Sequence, residues 1–293
     1  MTDRRDDLHP PAAAVTQVVA AALAEDLLPM GDVTAALVPS GRRASAHFVA
    51  RAGGVLAGTS AATEAYAQLD PEVAVEWHAD DGDGVTPGQR VGTVSGPLRS
   101  VLTGERTALN LLCHLSGVAT ATRAYVDALA AGNAGCRLRD TRKTTPGLRA
   151  LEKAAVRAGG GVNHRANLSE SILVKDNHLG GLTIAEAVGR ARRRWPGRHV
   201  EVECDDVDQV KEALAAAADM VMLDNMTPEQ VAECVELVRS AAPGVPVEVS
   251  GGVTLATAGA YALAGADFVS VGAVTHSAPI LDIGLDIAPD GAG

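Results

Sequence analysis

The chain has 293 residues and a net charge of −11, with 47% hydrophobic but only 2% aromatic residues. That length can bury a sizeable core in one large domain or two. The acidity argues against non-specific binding to nucleic acid or anionic membrane, and the scarcity of aromatics against base-stacking platforms.

The polar start MTDRRDDLHPP has no apolar signal core, and no run approaches a membrane span, so a cytoplasmic protein is expected. Residues 12–27 repeat Ala, Val and Leu at helical spacing. Glu25-Asp26 and Gly31-Asp32-Val33-Thr34 read as a loop. Strand signals follow at 47–56, broken by Gly53-Gly54, then at Val73, Val75 and Trp77, and again at 90–94. Asp80–Gly84 has the acids of a calcium loop but not their alternation or terminal Glu, and is read as a turn. Residues 97–118 form a strong helix with Arg106 in its middle, and a second helix covers 119–131. Cys113, Cys136, Cys204 and Cys234 have no CxxC spacing and read as buried thiols in a reducing compartment.

From residue 136 the rhythm becomes strand and helix in short alternation. Strand candidates are 136–139, 172–174, 200–202, 220–223, 245–249 and 268–271. Helical patterns lie between them at 148–158, 184–195, 207–218, 228–241 and 255–264. Such alternation implies a parallel sheet with right-handed crossovers. Every strand ends in polar or glycine residues. The ends are Asp140–Lys143, Lys175–His178, Glu203, Asp224-Asn225, Ser250-Gly251-Gly252 and Gly272-Ala273. Chemistry at every carboxyl end favours a barrel, here incomplete with six strands, over an open sheet with one crevice. Ser250–Gly252 before a helix, with Gly272-Ala273, reads as a phosphate cradle.

Residues 137–178 stand apart electrostatically. Nine cations minus four acids give this stretch +5 within an acidic chain, and it holds three of the four lysines. Arg grips carboxylate or phosphate with a planar fork and Lys acts as a point charge, so both together point to a small polyanion. Lys153, at its helical position, reads as facing outward. The isolated carboxylates Glu203 and Asp224 suit magnesium, which prefers one or two acids plus phosphates and waters. No Ser–His–Asp or Cys–His arrangement is visible.

These residues resemble quinolinate phosphoribosyltransferases, also called nicotinate-nucleotide diphosphorylases (carboxylating). The resemblance runs through Glu25-Asp26, Gly31–Thr34, Gly104–Asn110, Asp140–Thr144 with Pro146-Gly147, and Gly159–Gly161 with Asn163–Arg165. It continues through Lys175–His178, Glu201–Glu203, Leu223–Asn225, Ser250–Gly252 and Val271-Gly272. It implies an α/β protein: an N-terminal α/β sandwich domain at 1–116, rejoined by the tail 277–293, and an incomplete six-stranded α/β barrel at 117–276. It also implies a head-to-tail homodimer with shared sites, open to higher assembly. Substrates would be quinolinate and phosphoribosyl pyrophosphate with Mg2+, and no organic cofactor. Arg106 from the partner chain, Thr141, Arg142, Lys143, His164, Arg165 and Lys175 would bind quinolinate. Lys143, Lys175, Glu203, Asp224, Ser250, Gly251, Gly252, Gly272 and Ala273 would bind phosphoribosyl pyrophosphate. Lys143, Glu203 and Asp224 would be catalytic, the two acids holding metal or ribose hydroxyls.

Other readings remain at this stage. A barrel lyase or aldolase would use Lys175 as a Schiff-base nucleophile, which borohydride trapping would reveal. A passive anion binder would avoid Glu203 and Asp224 in its pocket. A phosphoribosyltransferase for another ring acid differs only in which acid it consumes.

Overall fold

A computed structural model describes residues 8–287, and within them every side chain except that of His178. The N-terminal residues 1–7 and the end of the expected tail, 288–293, lie outside the described residues. The chain divides into two compact units. One comprises 1–123, 144–160 and 273–293, and the other 124–143 and 161–272.

The first unit opens with α1 (Ala12–Leu27), a 3-10 turn at Ala35–Leu37 and β1 (Arg43–Ala50). There follow β2 (Gly54–Val55), α2 (Thr59–Leu69), β3 (Ala74–Trp77), β4 (Gly84–Val85), β5 (Arg90–Pro97) and α3 (Leu98–Gly132). The antiparallel sheet is completed from the far end of the chain by β12 (Ile283–Ile287), in the order β12-β1-β5-β3. Three of the few aromatic rings meet on it. Phe48 stacks on Trp77 with centroids 5.0 Å apart and meets Tyr66 edge-on at 6.5 Å. Trp77 Nε1 donates to Thr63 Oγ1 at 2.9 Å, so the half-buried ring keeps its donor satisfied.

Two helices were expected across 97–131, and the structure has one. Gly117, next to the expected junction, serves a close approach. A Cβ there would stand 2.1 Å from the carbonyl oxygen of Pro279. The helix therefore continues past the expected boundary at 116, and the first unit extends to Arg123. It also takes in α4 (Arg149–Ala158), which the expected division gave to the barrel.

The second unit contains β6 (Arg137–Arg139), β7 (Ile172–Val174), α5 (Asp176–Leu179), α6 (Ile184–Arg194), β8 (Val200–Cys204) and α7 (Val207–Ala215). It continues with β9 (Met220–Asp224), α8 (Pro228–Ala241), β10 (Val247–Ser250), α9 (Leu255–Leu263) and β11 (Phe268–Ser270). The four-residue α10 (Ala273–His276) then returns the chain to the first unit. The strands form one parallel sheet in the order β6-β11-β10-β9-β8-β7. Helix starts follow the sequence. Thr183 and Thr227 close reciprocal capping boxes with Glu186 and Gln230, Asp206 caps α7, and Pro228 opens α8. Val200, Val202, Val221, Leu223, Val247, Val249 and Val269 are all fully buried beneath α6 to α9. Each such side chain contributes ~1.5–3 kcal/mol on burial.

Candidate active site

Strand alternation sends the remaining side chains to the opposite face of the parallel sheet. Register places Arg139 beside Ser270, Phe268 beside Glu248, Ser250 beside Asp224, Met222 beside Glu203 and Met220 beside Glu201. Contacts reaching over intervening strands show how strongly this face curves. Arg139 on β6 pairs with Glu248 on β10 and reaches Met220 Sδ on β9 at 3.2 Å. His164, just after a bridge between Val162 and Arg139, reaches Glu201 on β8. Barrel interiors are usually filled by branched apolar residues. This one is filled largely by acids and their partners.

The rim above that layer holds the expected site residues of this unit. After β6 comes Thr141, whose Oγ1 accepts from the Lys143 amide at 2.9 Å, with Arg142 half-buried and Lys143 exposed. Asp140 beneath them is fully buried and accepts from the His164 amide at 2.7 Å and from Asn163 Nδ2 at 2.8 Å. The β6 loop and the 162–165 segment are thereby tied together. Lys175 after β7 makes a close ion pair with Glu203 on β8. This gives Lys175 the acidic partner that the sequence did not reveal.

Asp224 ends β9 and accepts from the Asn225 amide group at 2.5 Å. Asn225 itself adopts φ 56 and donates its backbone N–H to Ser250 at 3.0 Å. Gly251 and Gly252 follow with φ of 85 and 64, a sequence of left-handed residues that glycine adopts without strain. A Cβ on Gly251 would stand 2.3 Å from Asn225 Oδ1. Gly272 and Ala273 leave β11 at the same end. Arg106 is exposed on α3 of the first unit.

Electrostatics distinguish the two layers. Burial, then the nearby Arg142 guanidinium, holds Arg165 below its usual value. In the deeper layer burial pushes Glu201 and Glu248 above the ordinary carboxylate range, and for Glu248 the neighbouring Glu201 charge adds to it. Burial also pushes the Cys136 and Cys204 thiols up to about 12, which removes them as nucleophiles.

A metal has two places to be tested. His164, Glu201 and Glu248 bring ligand atoms within 4.8 Å of one another. They do not fit a resident cation, because Arg139 and Ser270 already occupy both oxygens of Glu248. Glu203 and Asp224, oxygen donors on adjacent strands at the half-buried rim, fit a magnesium ion that keeps waters and substrate oxygens.

Sequence reasoning missed Glu248, Arg139 and Ser270 as parts of the site. The available signal was an acid at the centre of the buried strand Val247–Ser250, where a helix-covered parallel strand is usually apolar throughout. Lys153 is a correction. It is 4% exposed, not outward-facing, since α4 buries most of its circumference. A largely apolar groove of ≈ 1020 Å³ runs along the edge strand β7, lined by Ile172, Val174, Leu168 and Trp195 among others and also by five arginines, Arg165, Arg190, Arg193, Arg194 and Arg198.

Comparison with known proteins divides the chain near the sequence-expected boundary at 116. The family models for the N-terminal and C-terminal domains of quinolinate phosphoribosyl transferase match residues 32–116 and 118–286. The nicotinate-nucleotide pyrophosphorylase (carboxylating) of Mycobacterium leprae is 42% identical over 281 residues, covering 94% of this chain and 97% of that protein. A probable enzyme of the same name from Synechocystis is 43% identical, covering 90% of each chain. The solved nicotinate-nucleotide pyrophosphorylase of Francisella tularensis superposes with a TM-score of 0.90 at 38% identity, covering 98% of this chain and 100% of that one.

Proposed function

The chain belongs to the quinolinate phosphoribosyltransferase family, and on that premise we propose how its own residues carry out the transfer. The reaction joins quinolinate to 5-phosphoribosyl 1-pyrophosphate, giving nicotinate mononucleotide, pyrophosphate and carbon dioxide for NAD synthesis. Arg142, Arg165 and Lys175 bind the two adjacent carboxylates, with Thr141 completing the pocket wall and His164 buried behind it. What carries this assignment is the tie through Asp140, whose bonds to Asn163 and the His164 amide hold the loop bearing Arg142 to the segment bearing Arg165.

Lys143, exposed after β6, neutralises the departing pyrophosphate. Glu203 and Asp224 hold the ribose hydroxyls or magnesium and favour the positive charge growing at ribose C1. Magnesium, when bound with the substrate, spreads the negative charge of the leaving pyrophosphate. The glycine turn Ser250–Gly252 with Gly272 and Ala273 takes the 5-phosphate through backbone N–H groups. The pyridine nitrogen attacks C1 as the C–O bond to pyrophosphate breaks. The pyridinium then accepts the electron pair of the bond to the 2-carboxylate, carbon dioxide departs, and ring C2 takes a proton. Catalysis is orientation and fixed charge.

We assign the working form as a homodimer in the cytoplasm. Exposed Arg106 and the apolar groove beside β7 both favour a second copy, whose Arg106 completes the site. The four buried thiols suit a reducing compartment.

Assay with magnesium, phosphoribosyl pyrophosphate and either acid tests the substrate. Quinolinate is expected to be consumed and nicotinate hardly at all, because a missing carboxylate leaves cations unpaired at about 2–5 kcal/mol. Comparable turnover of nicotinate overturns the quinolinate clamp. For the dimer, Arg106→Ala and Lys143→Ala are each expected to be nearly inactive. Refolded together in equal amounts, they should recover roughly a quarter of wild-type activity, since half the dimers are mixed and each has one intact site. No recovery places Arg106 outside the partner's site.

A further inference from the structure

His164 is buried, and both of its ring nitrogens meet partners. Nδ1 lies 2.8 Å from the backbone nitrogen of Arg165. A backbone N–H can only donate, so Nδ1 accepts and carries no proton. Nε2 lies 3.0 Å from Oε2 of Glu201 and 3.8 Å from Oε1 of Glu248. Facing carboxylate oxygens, Nε2 carries the proton.

The surroundings hold the ring in this arrangement. Ser270 donates to Oε1 of Glu248, and Arg139 pairs with Oε2. The Arg139 guanidinium in turn sits 4.7 Å from the centroid of the Phe268 ring. The backbone of His164 is fixed by its N–H to Asp140, which Asn163 holds from the other side. The charged groups around the imidazole are thus Glu201, Glu248, Asp140, Arg139 and Arg165. On the far side, Nη1 of Arg165 donates to the Ser171 carbonyl at 3.0 Å. The imidazole therefore links the fixed acids of the barrel interior to the amide of a residue that offers a guanidinium at the rim.

We propose that His164 is a positioning residue, a neutral imidazole protonated on Nε2 and pinned between Glu201 and the Arg165 amide, which sets the direction of the Arg165 guanidinium. The proposal rests on the reading that Arg165 binds a carboxylate of quinolinate. The competing arrangement is an imidazolium that contacts the substrate itself. It needs a proton on Nδ1 and so loses the Arg165 amide bond.

Nitrogen NMR of the full chain labelled at histidine reads the tautomer directly, with and without quinolinate. The His164 signals are identified by their loss in His164→Asn, or in His164→Gln if the first variant does not fold. One pyridine-type and one pyrrole-type nitrogen are expected in both states. Two pyrrole-type nitrogens in the quinolinate complex overturn the proposal.

Kinetics give a second reading. Asparagine keeps an acceptor at the Nδ1 position, whereas alanine keeps none. His164→Asn is expected to hold the KM for quinolinate within about threefold, well under the tenfold that 1.4 kcal/mol represents. His164→Ala should lower kcat/KM for quinolinate by roughly a hundredfold, as a misplacement of about 1 Å does, with the KM for phosphoribosyl pyrophosphate unchanged. Equal losses in both variants overturn the positioning role. Arg165→Gln, assayed in parallel, tests the underlying reading alone. An unchanged quinolinate KM in that variant removes Arg165 as a carboxylate ligand, whatever tautomer His164 shows.

Discussion

Strand β3 reads Ala-Val-Glu-Trp and strand β8 reads Val-Glu-Val-Glu-Cys, the same alternation of acid and apolar residue. In the antiparallel sheet the acid, Glu76, is exposed, and the apolar side carries Trp77 against Phe48. In the parallel sheet Glu201 is 2% exposed. The difference lies in what covers the apolar face. Helices α6 to α9 cover the valines of the barrel from outside, so the polar face is left to the interior, where it must find partners or pay desolvation. One pattern thus encodes a wet surface in one unit and a charged site in the other. Glu248 repeats the pattern and is fully buried.

The most disruptive way to probe this contrast is Glu248→Ala. It leaves the Arg139 guanidinium and the Ser270 hydroxyl without their acceptor inside the barrel. Removing one member of a buried pair costs about 3–5 kcal/mol. Denaturant unfolding followed by circular dichroism should show a loss of that size. A loss below ~1 kcal/mol would mean that the interior is as solvated as the outer face of the antiparallel sheet, and the contrast would fail.

A smaller effect is expected at the Ser250–Gly252 turn. Gly251→Ala meets two penalties, a left-handed backbone costing about 1–2 kcal/mol and a collision with Asn225. Gly252→Ala meets only the first, since nothing lies within 4 Å of where its methyl group would stand. The KM for phosphoribosyl pyrophosphate should therefore rise more for Gly251→Ala than for Gly252→Ala, while the KM for quinolinate holds. The reverse order would put the 5-phosphate elsewhere.

Much of the barrel was legible because its signals are local. Thr183, Asp206 and Thr227 announce helix starts, and α8 begins and ends where its periodicity does. The rim residues were legible as polar endings to apolar strands. What stayed hidden depends on distant partners. The reason for a glycine at 117 shows only when Pro279 is placed against it. Lys153 sits on a helix whose sequence does not show that nearly all of it is buried. Glu248 needed Arg139, 109 residues earlier, to be recognised as an interior acid instead of a surface one.

The first unit offers an acid at its surface with three hydrogen-bond donors. Asp32 accepts from the amides of Ala35 at 2.8 Å and Thr34 at 2.9 Å, and from Thr103 Oγ1 at 3.0 Å. The Ala35 amide contributes most to holding its carboxyl below the usual value. A depressed acid stabilises the fold above its unfolded pKa, and that contribution is lost as pH falls through the folded value. Asp32→Ala should cost about 1 kcal/mol near neutrality, as lost helix-start acceptors do. The gap from wild type should close in acid, and a gap that widens there would contradict the assignment. Buried Glu201 and Glu248 have the opposite sign, because their raised values favour the folded state at low pH.

The smallest expected effect completes the contrast. Glu76 occupies the position in β3 that Glu201 occupies in β8, the acid after a valine in a four- or five-residue strand. Its side chain is exposed, and the strand is held by its antiparallel ladder to β5, in which Glu76 pairs with Thr93. Replacing it removes no buried acceptor and opens no cavity. Glu76→Ala should leave stability within about 0.5 kcal/mol of wild type, the range for surface positions without special contacts, and kcat/KM unchanged. Measured by the same denaturant titration as Glu248→Ala, the two acids should differ several-fold in cost. A comparable loss at Glu76 would show that alternation alone sets the cost of an acid in a strand, and that the helices covering the barrel do not.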